Sequence, residues 1–353
     1  MATPIGILGL AMSLPPDVRR NDFWRPEVLA SSPQSRMKMP SGELTAGMAA
    51  VVSAMKQLAQ DPQQGTIQRH VLSEGASLVG LEERAALEAI ERAGVARDDI
   101  DVLLTHRTPV EYQLTNPACE LHQRLGLPAR CFALQTEGAQ HSFLLQLSIA
   151  QAMIASGQAR TALLVQSSGI SRLLDYGDAL SLAFGDGATA VVVGPVRAGR
   201  GILAAVHYAN GASPHTLVAS VPGKPWYAEG RSILHLADMP GMANILLRTV
   251  DVSKASIDEA LRFADLRPDQ VDVFAMHQGM PWLRRLVQEQ TGLVHARAID
   301  TFSATGHLFG AFVPSTLVAA EREGLLADGD VVVIAGGGNG VTYGAAVMRW
   351  GRG

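Results

Sequence analysis

Short apolar runs of strand length alternate along this chain with longer stretches whose apolar residues recur at helical spacing. Residues 5–11 read as a buried strand. Residues 98–107 pass from a polar turn into Val102-Leu103-Leu104 and follow a helical pattern near 82–93. Residues 269–278 repeat that order after a helical pattern near 254–263. The run 162–169 is echoed by 331–337, each behind a long helix candidate, near 142–155 and 313–323. The Gly-rich strand 187–193 is echoed by 344–350. Three ordered echoes predict an internal duplication, with halves at 1–195 and 196–353. Strand–helix–strand order with continuous apolar strands predicts an α/β fold of largely parallel sheets covered by helices. Residues 23–67 fit neither half. Turn-rich punctuation at 31–35 and 61–65 brackets a helical stretch at 44–58. This reads either as an insertion over the site or dimer face, such as a lid, or as a plain surface excursion.

Composition narrows the class. Hydrophobic residues make up 47% of the chain and charged ones 18%, which suits a compact body with buried strands. The formal charge is -4 and no long Lys/Arg run occurs, which argues against nucleic-acid binding. Two cysteines, Cys119 and Cys131, provide neither a disulfide framework nor a Cys-rich zinc site, and no metal is expected. They read as free thiols of a reducing compartment. The first 14 residues lack a basic segment followed by a long apolar one, and apolar runs elsewhere are too short or too Gly-rich to span a bilayer. A cytoplasmic protein with no membrane contact is the expectation.

The chemistry concentrates in four places. An apolar helix beginning Gln140-His141-Ser142-Phe143 is entered from a strand-like segment, 131–134, and closed by Gly157. Downstream come His277-Gln278-Gly279, then Thr305-Gly306-His307, then Gly336-Gly337-Gly338-Asn339-Gly340. Phe184-Gly185-Asp186-Gly187-Ala188 lies between. Each is weak alone, and the Gly-rich loop lacks the Lys-Ser/Thr of a phosphate loop. In this order they resemble the ketoacyl synthase III branch of the thiolase superfamily over roughly residues 5–351. The resemblance implies a five-layered αβαβα thiolase fold from two duplicated halves, with residues near 140, 277, 307 and 338 converging on one site.

The same resemblance implies Claisen chemistry on acyl and malonyl thioesters. No cofactor would be permanently bound. The phosphopantetheine arm of coenzyme A or of an acyl carrier protein would enter as substrate. In that family a Cys at the helix start carries the acyl group, its thiolate favoured by the helix dipole. Counting back from Gly157 puts this slot at Gln140, and counting forward from Cys131 puts it at Gly138, so two residues are inserted between. Neither count gives Cys. An amide supplies no usable nucleophile. Ser142 is an alternative nucleophile two residues on, and Cys131 a weaker one.

His307 stands where the branch usually has Asn, in a segment resembling that of the elongating ketosynthases. The slots read Gln140, His277, His307, as in loading ketosynthases that decarboxylate without condensing. Met280 replaces an Asn near the pantetheine arm. Two imidazoles facing a thioester carbonyl would stabilise an enolate oxygen, each donor worth about 3 kcal/mol. The backbone of Gly338, Asn339 and Gly340 would complete an oxyanion hole. Alternatively one His serves as base for a bound alcohol or amine. His106-Arg107, the repeat counterpart of His277-Gln278, reads as structural loop, and Trp24, Trp226 and Trp282 as either tunnel lining or packing. The expected function is acyl transfer or decarboxylation without a Cys nucleophile. The alternative is an inactive subunit paired with a Cys-bearing paralogue. A homodimer joined at the strand beginning at Cys131, or such a heterodimer, follows from the resemblance.

Overall fold

The computed structural model describes residues 3–31, 42–338 and 340–352. In chain order the elements are β1 (Ile5–Ser13), β2 (Asp17–Arg20), α1 (Pro26–Ala30), α2 (Ala46–Leu58), β3 (Gln68–Val71), α3 (Leu78–Ala93), β4 (Val102–Thr108), α4 (Ala118–Leu125), β5 (Phe132–Gln135), α5 (Ser142–Ala155), β6 (Ala162–Ser168) and β7 (Gly187–Pro195). They continue with β8 (Gly201–Ala209), β9 (Leu217–Ser220), β10 (Ile233–Leu236), α6 (Met239–Phe263), β11 (Val273–Met276), α7 (Leu283–Thr291), α8 (Phe302–Thr305), α9 (Phe312–Arg322), β12 (Val331–Gly338) and β13 (Thr342–Arg349).

Two sheets face each other across α5 and α9. One has the order β1-β7-β6-β4-β5 and the other β11-β12-β13-β8. The echoes fall in matching places: β4 with β11, β6 with β12, and β7 with β13. The counterpart of β5 in the second sheet is reduced to a single bridge between Val273 and Arg297. The expectation of largely parallel sheets is corrected: three of the seven adjacent pairs are parallel and the rest antiparallel. The reason is that β6–β7 and β12–β13 are joined by returns that carry no crossover helix between parallel strands.

Side chains alternate faithfully between the two faces of each sheet. On β4, Val102 and Leu104 turn to the central layer while Leu103 turns to α3 and α4. On β12, Val332 and Ile334 turn inward while Val331 and Val333 turn to the outer helices α6 and α7. Both faces are therefore apolar, as a sheet buried on both sides requires. Each fully buried Val, Leu or Ile contributes about 1.5–3 kcal/mol, so these alternating sets dominate the stabilisation. The layers run outer helices, sheet, central helices, sheet, outer helices, which is the expected αβαβα order. No described helix is long and apolar enough to cross a membrane.

The insertion leaves and re-enters through the paired strands β2 and β3, Asp17 opposite Val71 and Arg20 opposite Gln68. Its main helix, α2, is N-capped by Thr45, whose Oγ1 accepts from Met48 N–H at 3.1 Å and donates to Asp251 of α6 at 2.7 Å. Residues 32–35 of the expected punctuation lie outside the described residues.

His106 and Arg107 lie within β4, not in a loop, and both are buried. Arg107 binds Glu82 of α3 through two contacts, at 2.9 and 2.7 Å, and Glu120 of α4 at 2.9 Å. Ser167 of β6 adds a donor to Glu82 at 2.5 Å. This network pins four elements together, β4 and β6 with α3 and α4. Substituting Arg107→Ala leaves Glu82 buried without its partner and should cost about 3–5 kcal/mol. The double substitution Glu82→Met with Arg107→Met should recover most of that loss in a thermal melt.

Candidate active site

The turn that leads into α5 is shaped before any chemistry is considered. Ala139 has φ +47°, a left-handed conformation that a residue with a Cβ rarely adopts. Its N–H is held by Glu137 Oε1 at 2.8 Å, and Gly138 N–H donates to Ser142 Oγ at 3.0 Å. His141 N–H closes the turn on Gly138 O at 2.9 Å. Gln140 sits at its crest with 5% of its surface exposed. Strand β12 passes directly against it. A Cβ on Gly338 would lie 2.2 Å from Gly138 O and 3.0 Å from Gln140 N, so only glycine permits the approach.

His277 follows β11, its N–H bonded to Ala335 O at 3.0 Å. Gln278 then donates to Ile299 O and Asp300 Oδ1, both at 2.9 Å, fixing the segment that leads through α8 to His307. His307 is gripped at its backbone. Its N–H donates to Ala183 O at 2.7 Å and its C=O accepts from Gly185 N–H at 3.2 Å. Arg69, fully buried, holds the same segment by donating to Leu182 O at 2.5 Å, and also binds Asn21 and Thr66. No carboxylate lies within ion-pair distance of Arg69 among the described residues, and burial lowers its pKa to about 10.

The two imidazoles meet Nε2 to Nε2 at 2.6 Å. The ring of His307 stacks on Phe312 and meets Phe184 and Phe309 edge-on. Burial lowers the pKa of His277 to about 4, and it lowers that of His307 well below the usual histidine range, helped by His277 beside it. Both rings are neutral at pH 7. The two rings face each other, each the hydrogen-bond partner of its neighbour inside an apolar aromatic box.

Gln140, His277, His307 and Gly338 all line one cavity of about 220 Å³. Its walls are mainly apolar: Leu180, Phe184, Leu217 and Leu236 on one side, Met242 and Leu246 of α6 with Met280 and Leu283 on another. The insertion contributes Leu58 and Gln64. Among the described residues Arg248 is the one charged lining residue, and no Asp, Glu or Cys lines the cavity. Cys131 is buried at the foot of β5, its thiol pushed up to about 11 by burial, and Cys119 is exposed on α4. Ser142 is buried away from the cavity with its oxygen engaged by Gly138. Of the three tryptophans considered for a tunnel, Trp282 lines the cavity, Trp24 is buried against Ser181, and Trp226 is at the surface. Gly340 is not among the lining residues, and Asn339 lies outside the described residues.

Several features escaped the sequence. Leu217 and Leu236 come from the hairpin β9–β10, whose strands are four residues each and carry little periodic signal. Arg69 gave no sign of its burial, since a lone Arg in a short strand reads as exposed. His141 forms a second pair, with His207 Nδ1 3.1 Å from its Nε2, and Ser148 Oγ lies 2.7 Å from His207 Nε2. Burial lowers the pKa of His141 to about 3, with a further lowering by His207. This chain lies behind the turn and outside the cavity.

Comparison with known proteins identifies the family and the fold. Residues 135–211 match the model of 3-oxoacyl-[acyl-carrier-protein] synthase III, and residues 261–350 match its C-terminal model. The beta-ketoacyl-[acyl-carrier-protein] synthase III of Rhodospirillum centenum is 30% identical over 291 residues, 81% of this chain and 88% of the relative. The crystal structure of the synthase III of Pseudomonas aeruginosa superposes with TM-score 0.80 at 24% identity, over 99% of both chains. The priming β-ketosynthase of the R1128 polyketide pathway gives TM-score 0.80 at 22% identity, over 99% of this chain and 96% of its own. The protein is thus a member of the beta-ketoacyl-[acyl-carrier-protein] synthase III family, built on the thiolase fold.

Proposed function

We propose that the protein transfers acyl groups from thioesters of coenzyme A or of an acyl carrier protein without forming an acyl-enzyme. The observation that carries this reading is the lining of the cavity, which joins Gln140 to a neutral His277–His307 pair and, among the described residues, contains no cysteine. A thioester carbonyl at the turn would find the Gln140 amide and the Gly338 backbone N–H as donors for developing negative charge, each worth about 3 kcal/mol. His277, more open to the cavity than His307, acts as general base and then as general acid. The apolar walls take the acyl chain and keep water from the thioester. Ser142 has no role as nucleophile in this scheme.

One observation supports pairing with another chain. Among the described residues the outer edge of β5 has no strand beside it, and Phe132 and Leu134 on it are 48% and 40% exposed. An open apolar edge is completed by a partner strand. A homodimer serves the catalytic reading, and a Cys-bearing paralogue at this edge would make the chain a partner subunit instead.

Intact-protein mass spectrometry after incubation with acyl- and malonyl-coenzyme A should show no adduct while free coenzyme A accumulates; a stable adduct on the unmodified chain would sink the reading. His277→Ala should slow that release by about 10²–10⁴-fold. Gln140→Cys puts a thiol at the start of a helix, where its thiolate is favoured, and should gain a covalent acyl adduct. Because burial lowers His277 from 6.5 to about 4, the acid limb of activity should fall near pH 4–5 and not near 6.5. Stability follows the same shift. The unfolded chain takes up a proton near pH 6.5 that the folded site refuses, so stability is full above that pH and declines as pH falls toward 4.

A further inference from the structure

The His277–His307 pair is asymmetric, and the asymmetry bears on what receives the acyl group. With Nε2 atoms 2.6 Å apart and both rings neutral, one proton lies between them. The buried backbone N–H of Phe309 points to His307 Nδ1 at 3.4 Å, the one acceptor the structure gives that amide. An N–H is accepted only by a lone pair, so His307 Nδ1 is unprotonated and its hydrogen is on Nε2. His307 is therefore the donor and His277 Nε2 the acceptor. A reactant that parts the two rings meets an N–H on one side and a lone pair on the other.

A hydroxyl satisfies both at once. It accepts from His307 with one lone pair, donates its hydrogen to His277, and keeps a second lone pair for attack. An amine has a single lone pair, which His307 would occupy. An alkylamine also arrives as an ammonium ion, and the described residues of the cavity offer no carboxylate to pair with it. An enolate oxygen calls for donors on both sides and would meet the lone pair of His277. We infer that the acyl acceptor is an alcohol hydroxyl and the product an ester, an assignment that rests on the acyl-transfer reading above. The O–H proton passes to His277 Nε2 as the new C–O bond forms. The C–S bond breaks, and the imidazolium returns the proton to the departing thiolate. One thioester and one alcohol give one ester and one thiol, with no change of oxidation state.

Two measurements test this. In protein labelled with ¹⁵N-histidine, assigned with His277→Ala and His307→Ala, His307 should carry its hydrogen on Nε2 and His277 on Nδ1; the reverse order overturns the proposal. With octanoyl-coenzyme A as donor, straight-chain alcohols from ethanol to octanol should raise thiol release at least tenfold and yield the octanoyl ester, ahead of amines of equal length. Amide formation in preference to ester, a carbon–carbon product with malonyl-coenzyme A, or no acceleration by any alcohol overturns it. An octanoyl adduct on the chain, or full turnover in His277→Ala, would instead be a failure of the acyl-transfer reading, and the tautomer measurement would stand apart from it.

Discussion

The site depends on the close passage of β12 across the turn at 138–140. Gly338 lets two backbones from different halves of the chain touch, and a methyl group there would collide with the carbonyl of Gly138. That contact fixes the height of Gln140 relative to the strand ends. Since β11 lies beside β12 in register, Val273 opposite Val332 and Met276 opposite Ala335, it also fixes where His277 emerges. The geometry of the site is thus set by backbone packing between sheets, and the side chains are mounted on it. Loop sequence alone does not hold it.

Much of this was legible in the chain. The echoes of 98–107 and 162–169 marked β4, β6 and their counterparts because buried strands with matched helices leave a strong apolar signature. The helix read near 142–155, with its start taken at Gln140, spans Ser142–Ala155, since its ends carry a turn and a glycine. The four motifs lead to one cavity, as the order of parts implied. What failed did so for physical reasons. Strand direction is not written in an apolar run, so the mixed sheets were missed. The mutual engagement of His277 and His307 was invisible, because it depends on how Phe184, Phe309 and Phe312 enclose one ring. The helix α6 runs from 239, well before its recognisable amphipathic part, because its first turns build the cavity wall.

The turns that lead into α5 and α9 share one backbone geometry and differ in what fills them. Phe309, like Ala139, has φ +47° at the start of a central helix. In the place that corresponds to Gln140 stands Gly310, and His106, the counterpart of His277, fills the space: a Cβ on Gly310 would lie 2.2 Å from its Cδ2. One copy of the turn opens onto a cavity and the other is plugged by a buried imidazole. The plugged copy in turn supports the open one, because Phe309 delivers the N–H that orients His307.

The central helix α5 belongs to the first half by sequence, yet its apolar surface is shared. Phe143, Leu144 and Leu147 join one core with Val102 and Leu164 of the first sheet and Val332 and Ile334 of the second. A first half expressed alone would leave one flank of that helix in water, and a second half alone would lack the surface its inner strands rest on. The core is therefore shared, and parting the chain between β7 and β8 would strip apolar surface of its cover on both pieces.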